Sequence, residues 1–138
     1  RLSLVGSEMC IRDRSFLDTI SIKKEHRGWG KYRIVLNYTG KKNHLNMPYL
    51  VRNIIFEPNV DKKMDWVNYT IRQIETAFRW HRPAVISSHR VNFCGNIVEK
   101  NRKVGLDALK SLLNGIIKRW PDVEFLSSAE LMGIISKS

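Results

Sequence analysis

The stretch RQIETAFRWHRPAVISSHRVNF, residues 72–93, changes its hydrophobic rhythm at Pro83. On its N-terminal side Ile74 and Phe78 continue a series begun by Val67 and Ile71, the spacing of one face of a helix. On its C-terminal side Ala84 to Ser88 is a short apolar run without alternation, as expected of a strand covered on both faces. Proline between them removes a helical hydrogen bond and ends the helix. The strand then stops at an imidazole beside a guanidinium, His89-Arg90, with Asn92 two positions on.

The same alternation extends in both directions. Upstream, YLVRNIIFEP (49–58) is rich in β-branched residues and is stopped by Pro58, which predicts a strand over 50–56. Residues 59–81 predict a helix, capped by Asp61 or Asp65 and closed by Arg79 and Arg82 near its negative end. Downstream, residues 90–101 read as a loop. Residues 102–120 predict a helix with Leu109, Leu112, Leu113, Ile116, Ile117 and Trp120 on one stripe. A turn and strand follow over 121–126, and Ser127-Ser128-Ala129-Glu130 matches a capping box ahead of a last helix. Strict strand–helix alternation from residue 49 points to an α/β fold with parallel strands and covering helices.

The part before residue 49 is less regular. KYRIVLNYTG (31–40) reads as one short strand ending in a Thr-Gly turn, and GKKNHLNMP (40–48) as a polar loop. The first fourteen residues, RLSLVGSEMCIRDR, show neither helical nor strand periodicity. LVGSEMCIRD can be written back as a DNA sequence that resembles one frame of a transposase adapter used in sequencing libraries, the alternative being a natural disordered tail. Residues 1–14 are therefore expected to be foreign to the gene, with native sequence upstream of Ser15 lost. The expected organisation is a non-native 1–14, an irregular 15–48, and a regular α/β unit over 49–138.

Composition narrows the function classes only a little. The chain carries a net charge of +11. Without residues 1–14 it holds 21 Lys and Arg against 11 Asp and Glu. Such a balance suits a polyanion partner, so a basic nucleic-acid-binding module is one reading. The cations are scattered in pairs over loops and helix ends, which a solvated surface also explains. No apolar run is long enough to span a membrane. Outside the first fourteen residues Cys94 is the one cysteine, so no internal disulfide or cysteine cluster is available there. GxSxG, P-loop, HExxH and CxxC motifs do not occur.

Active sites of parallel α/β folds collect at the carboxyl ends of the strands. Three such ends are expected here: at Glu57-Pro58, at His89 to Asn92, and at Leu126 to Ser128. His89 is the leading candidate, because imidazole exchanges a proton near neutral pH. Arg90 beside it suits an anionic or polar ligand group. Glu57 could orient His89 or contact ligand, and a surface carboxylate explains it too. Arg52 could cover a helix or pair with Glu57. Asp65 suits a helix cap, and Trp66 an aromatic wall. His26, His44 and His81 lack the paired spacing of a metal site, and Trp29, Trp80 and Trp120 read as packing residues.

Two segments, DWVNYTIRQIETAFRWHRPAVISSHRVNF (65–93) and GLDALKSLLNGIIKRWPDVEFLSSAELMGII (105–135), resemble the C-terminal third of polysaccharide deacetylase-like proteins. The likeness covers about residues 49–138. It implies the last strand–helix units of a distorted, seven-stranded (β/α) barrel of TIM-like kind. It implies metal-dependent hydrolysis of the acetamide of an N-acetylated polysaccharide. His89 matches the family's late histidine, which protonates the leaving amine, and Asp65-Trp66 matches its Asp-Trp pair. The second Asp of that motif has its counterpart at Asp61, four residues before Asp65 rather than three. Arg90, Asn92, Trp66, Glu57 and Asp65 are the implied substrate-contacting residues. The family's base and metal ligands, commonly for zinc, belong to early strands, which places them upstream of Ser15. On this reading the chain is a partial barrel that holds no metal of its own, is inactive alone, and carries an open barrel edge prone to self-association. A non-catalytic glycan-binding barrel is the remaining alternative.

Overall fold

A computed structural model of the chain describes residues 3–6, 16–93 and 99–137. Among the described residues eight strands and three α-helices run in the order β1 (Ser3–Gly6), β2 (Leu17–Ile20), β3 (Ile22–His26), β4 (Tyr32–Leu36), β5 (Tyr49–Arg52), β6 (Ile54–Ile55), α1 (Trp66–Arg79), β7 (Ala84–Ser87), α2 (Glu99–Arg119), β8 (Glu124–Ser127) and α3 (Ser128–Lys137). The architecture is mixed α/β. Its largest sheet has four strands in the order β6-β7-β1-β8, and every neighbouring pair is parallel. β2 and β5 form a second parallel pair, and β3 and β4 an antiparallel hairpin.

Strand β7 is the centre of the packing. Ala84 and Val85 are both fully buried, yet they belong to different cores. Ala84 packs with Ile54, Phe56, Ile74, Leu112 and Ile116 under α1 and α2. Val85 packs with Leu50, Leu131 and Met132 under α3. Successive strand residues point to opposite faces, so the sheet is covered on both sides, as the unbroken apolar run 84–88 predicts.

Helix α1 begins where Asp65 accepts from the Asn68 amide at 3.0 Å. The apolar series then buries Ile71, Ile74 and Phe78, while Val67 is half-buried at the margin. The helix ends before Pro83, through Trp80 and a left-handed His81 with φ 53°. At the other capping motif Ser127 donates to the Glu130 carboxylate at 2.7 Å through its backbone and 2.8 Å through its hydroxyl.

Several expectations are corrected. The strand predicted over 50–56 is two strands, β5 and β6, which join different sheets. Asn53 divides them: its side chain accepts from the Val85 amide at 2.8 Å and donates to the Pro83 carbonyl at 3.0 Å. An amide side chain thus replaces one rung of the ladder at the crossover. Helix α2 starts at Glu99 rather than 102, and its apolar stripe is narrower than expected. Leu112 and Ile116 are fully buried, whereas Ile117, rotated by about 100°, is half exposed at 51 %. The segment 15–48 holds three strands rather than one.

Ser3–Gly6, where no strand pattern is visible, lies between β7 and β8. Strand pairing is made by backbone groups, so any extended segment that reaches such a slot can fill it. The outer edge of β6 is closed as well. The Ile55 amide donates to Gln73 Oε1 at 3.1 Å, and the Ile55 carbonyl accepts from Thr70 at 3.1 Å and from Gln73 Nε2 at 3.4 Å. Helix side chains thus take the place of a neighbouring strand along that edge.

Candidate functional site

The carboxyl ends of β6 and β7 lie side by side, because Ile54 pairs with Ile86 and Ile55 with Ser87. The Phe56 amide extends this pairing to the Ser87 carbonyl at 3.0 Å. Glu57 and His89 therefore leave the sheet together, although 32 positions separate them in the chain. The Glu57 side chain turns inward and is 9 % exposed; that of His89 turns outward and is 79 % exposed.

One carboxylate oxygen holds the histidine twice. Glu57 Oε1 accepts from the His89 backbone amide at 2.9 Å and meets His89 Nδ1 at 2.7 Å. A carboxylate oxygen only accepts when ionised, so Nδ1 is the protonated nitrogen in this contact. Nε2 is then the atom left to exchange a proton on the outer side of the ring. A histidine whose second nitrogen is fixed in this way has a defined tautomer and ring orientation.

The other carboxylate oxygen is held by Asn92. Its Nδ2 donates to Glu57 Oε2 at 2.6 Å, with the His89 carbonyl at 3.0 Å and the Ser88 hydroxyl at 3.3 Å also in reach. Asn92 is fully buried in the turn Arg90–Asn92 that follows β7. Its Oδ1 accepts from the Asn59 backbone at 3.3 Å. The Asn59 side chain in turn donates to the carbonyls of Asn92 and Asn101, at 3.2 and 3.1 Å. The turn is thereby tied to both the β6 exit and the start of α2.

Of the residues named from sequence, Glu57, His89 and Asn92 come together. Glu57 was expected to orient His89 or to contact ligand, and Asn92 to contact substrate; both are buried, and their polar atoms are bonded within the protein. Their place in the structure is behind the imidazole. Arg90 is exposed beside His89. Asp65 and Trp66 belong to the start of α1. Both Asp65 oxygens are engaged by Asn68, Oδ2 accepting from the side-chain amide at 2.6 Å. The backbone amide of Asn68, followed by its side chain, holds the Asp65 carboxyl below its ordinary range. Trp66 is half-buried against the α1–α2 core and donates from Nε1 to the Asp61 carbonyl at 2.9 Å. Arg52 reaches the Ser87 hydroxyl at 3.5 Å. Cys94 lies outside the described residues.

Asn59 and Gly105 were not singled out from sequence. Asn59 carries no signal beyond being a polar residue next to Pro58. Gly105 does carry one, as a glycine inside a helical pattern, which often marks a close approach.

Among the described residues no three His, Cys, Asp or Glu side chains gather as a metal would require. The Glu57 carboxylate, closed by His89 and Asn92, does not fit the part of a metal ligand. No helix among the described residues is long and apolar enough to cross a membrane. The chain matches no protein-family model, no curated protein and no solved structure.

Proposed function

We propose that this chain carries the proton-donating side of the active site of a carbohydrate-active hydrolase, one that releases acetyl groups from an N-acetylated polysaccharide. The observation that carries the reading is the 2.7 Å contact from His89 Nδ1 to a buried carboxylate, with the ring exposed at the carboxyl end of a parallel strand. The parallel strands β6, β7 and β8 are read as the last part of a (β/α) barrel in a longer parent, with Ser3–Gly6 standing in the slot between β7 and β8.

In this reading the reacting bond is the amide C–N of an acetamido sugar. Water adds to the carbonyl carbon and the C–N bond breaks, giving acetate and an amine. The amine is a poor leaving group unless protonated, and His89 Nε2 supplies that proton. Glu57 remains on Nδ1 throughout and steadies the ring as it changes charge, and Asn92 holds Glu57. Arg90 and Trp66 are assigned to the sugar-facing wall, with Asp65 fixing the start of α1 below it. The base that activates water, and the zinc-like ion such chemistry employs, are assigned to upstream residues of the parent.

The test is His89→Ala in the parent with its upstream coding sequence restored, reading acetate released from N-acetylglucosamine oligomers. The expected fall in kcat is about 100- to 10,000-fold, with melting temperature unchanged. Undiminished release removes His89 from the chemistry. Oligomer binding without any release by the restored protein favours the glycan-binding alternative. The present chain alone is expected to release no acetate.

A further inference from the structure

The β3–β4 hairpin contributes no residue to either hydrophobic core. Its register places Ile22 opposite Leu36, Lys24 opposite Ile34 and His26 opposite Tyr32, all on one face. That face is open: Ile34 is 68 % and Leu36 63 % exposed, with Ile22 and Tyr32 also above half. Tyr32 is held between the Lys24 ammonium, 4.0 Å from its ring centre, and the edge of His26 at 5.2 Å.

The other face differs. Glu25 and Val35 there are half-buried. Glu25 is the one acid in residues 22–36, against five Lys and Arg. It lies 3.5 Å from Lys23, so its charge is met on the side away from the apolar stripe. At the tip Gly28, Trp29 and Gly30 all have positive φ, of 79°, 48° and 70°. Glycine adopts this conformation freely, but a tryptophan there is strained. Trp29 is also wholly exposed. Strain that presents a large indole to water, on a loop with no core to serve, has the character of a functional feature.

We propose that this hairpin is an interfacial anchor that seats on an anionic lipid bilayer. Trp29 and the Ile22–Ile34–Leu36 stripe enter the headgroup boundary, while Lys24, Arg27 and Lys31 meet the lipid anions. Each part matches one property of that surface: tryptophan favours the interface, aliphatic side chains leave water there, and cations are drawn by anionic headgroups. A nucleic acid matches the cations and the indole but leaves the aliphatic stripe in water. A second copy of the hairpin would cover the stripe but bring Lys24, Arg27 and Lys31 of the two copies together.

The test is sedimentation of the full chain with phosphatidylcholine vesicles, with or without about 30 % phosphatidylserine, at about 0.1 M salt. The chain is expected to sediment with the anionic vesicles and to stay in solution with the neutral ones. Ile34→Asp and, separately, Trp29→Ser are each expected to weaken the partition about tenfold. Lys24→Glu with Lys31→Glu is expected to do the same, with circular dichroism unchanged in every case. Trp29 has no packing role, so that variant tests the idea even if Ile34→Asp perturbs the hairpin. The proposal is overturned by an absence of sedimentation with anionic vesicles, or by variants that sediment like the parent. It is equally overturned if the chain prefers duplex DNA to vesicles, or if Ile34→Asp abolishes a dimer while vesicle binding is absent.

Discussion

The backbone carbonyl of Asn92 occupies the place where a side chain at position 105 would begin. A Cβ built on Gly105 would lie 1.9 Å from that oxygen and 2.9 Å from its carbon. Gly105 is itself buried inside α2, so the helix reaches the His89 loop only because this residue has no side chain.

Gly105→Ala therefore sets two effects against each other. Alanine favours a helix interior over glycine by about 1 kcal/mol. The clash is with backbone and cannot be relieved by a rotamer change, and overpacking of this kind costs about 1–3 kcal/mol. A net loss of stability in urea unfolding is expected, together with displaced amide resonances at Asn92 and His89. Gly115→Ala is the control: its Cβ would meet Ile71 Cδ1 at 2.9 Å, the far end of a flexible side chain. Equal stability changes in the two variants would remove the special role of the Gly105 contact.

Glu57→Gln keeps the shape of the buried group but replaces one acceptor oxygen by a donor. Either orientation of the new amide then sets donor against donor at His89 or at Asn92. The cost of such a mismatch is about 1–3 kcal/mol. The imidazole should also lose its single tautomer. Nitrogen-15 spectra of His89 are expected to show Nδ1 protonated in the parent and a mixture of tautomers in the variant. Identical spectra would show that Glu57 does not orient the ring.

Acid should loosen the helix starts before the cores. Asp65 and Glu130 both have their carboxyl groups held below the ordinary range, through Asn68 and Ser127 respectively. A carboxyl whose folded value is depressed adds stability that is present above its unfolded value. That stability is lost as pH falls through the folded value. The melting temperature is therefore expected to decline below about pH 4. In Asp65→Asn with Glu130→Gln the melting temperature should begin lower and the acid slope should be shallower. An unaltered slope would place the acid sensitivity in other carboxylates.

Local patterns carry the helices. Asp65, the Ile71–Ile74–Phe78 series and Pro83 bound α1 through contacts within a turn or two. The Ser127–Glu130 box is equally local. The half-exposed Ile117 shows where such reasoning overreaches: a stripe of apolar residues says which side can be buried, but the neighbours decide how wide the buried band is. The break at Asn53 is less visible still, because its cause is a hydrogen bond to Val85 across 32 positions. Ser3–Gly6 shows the reverse case, a segment without strand periodicity in its sequence that pairs with β7 and β8 through its backbone.

The site divides along the same line. That His89 ends a buried strand, and that Glu57 ends an earlier one, follows from the sequence, since strand ends are set by nearby residues. That these two ends are adjacent, that Glu57 faces inward and His89 outward, and that Asn92 and Asn59 close the network behind them, was decided by tertiary structure. The register between β6 and β7 joins groups far apart in the chain, and no periodicity along a single segment encodes which strand its neighbour will be.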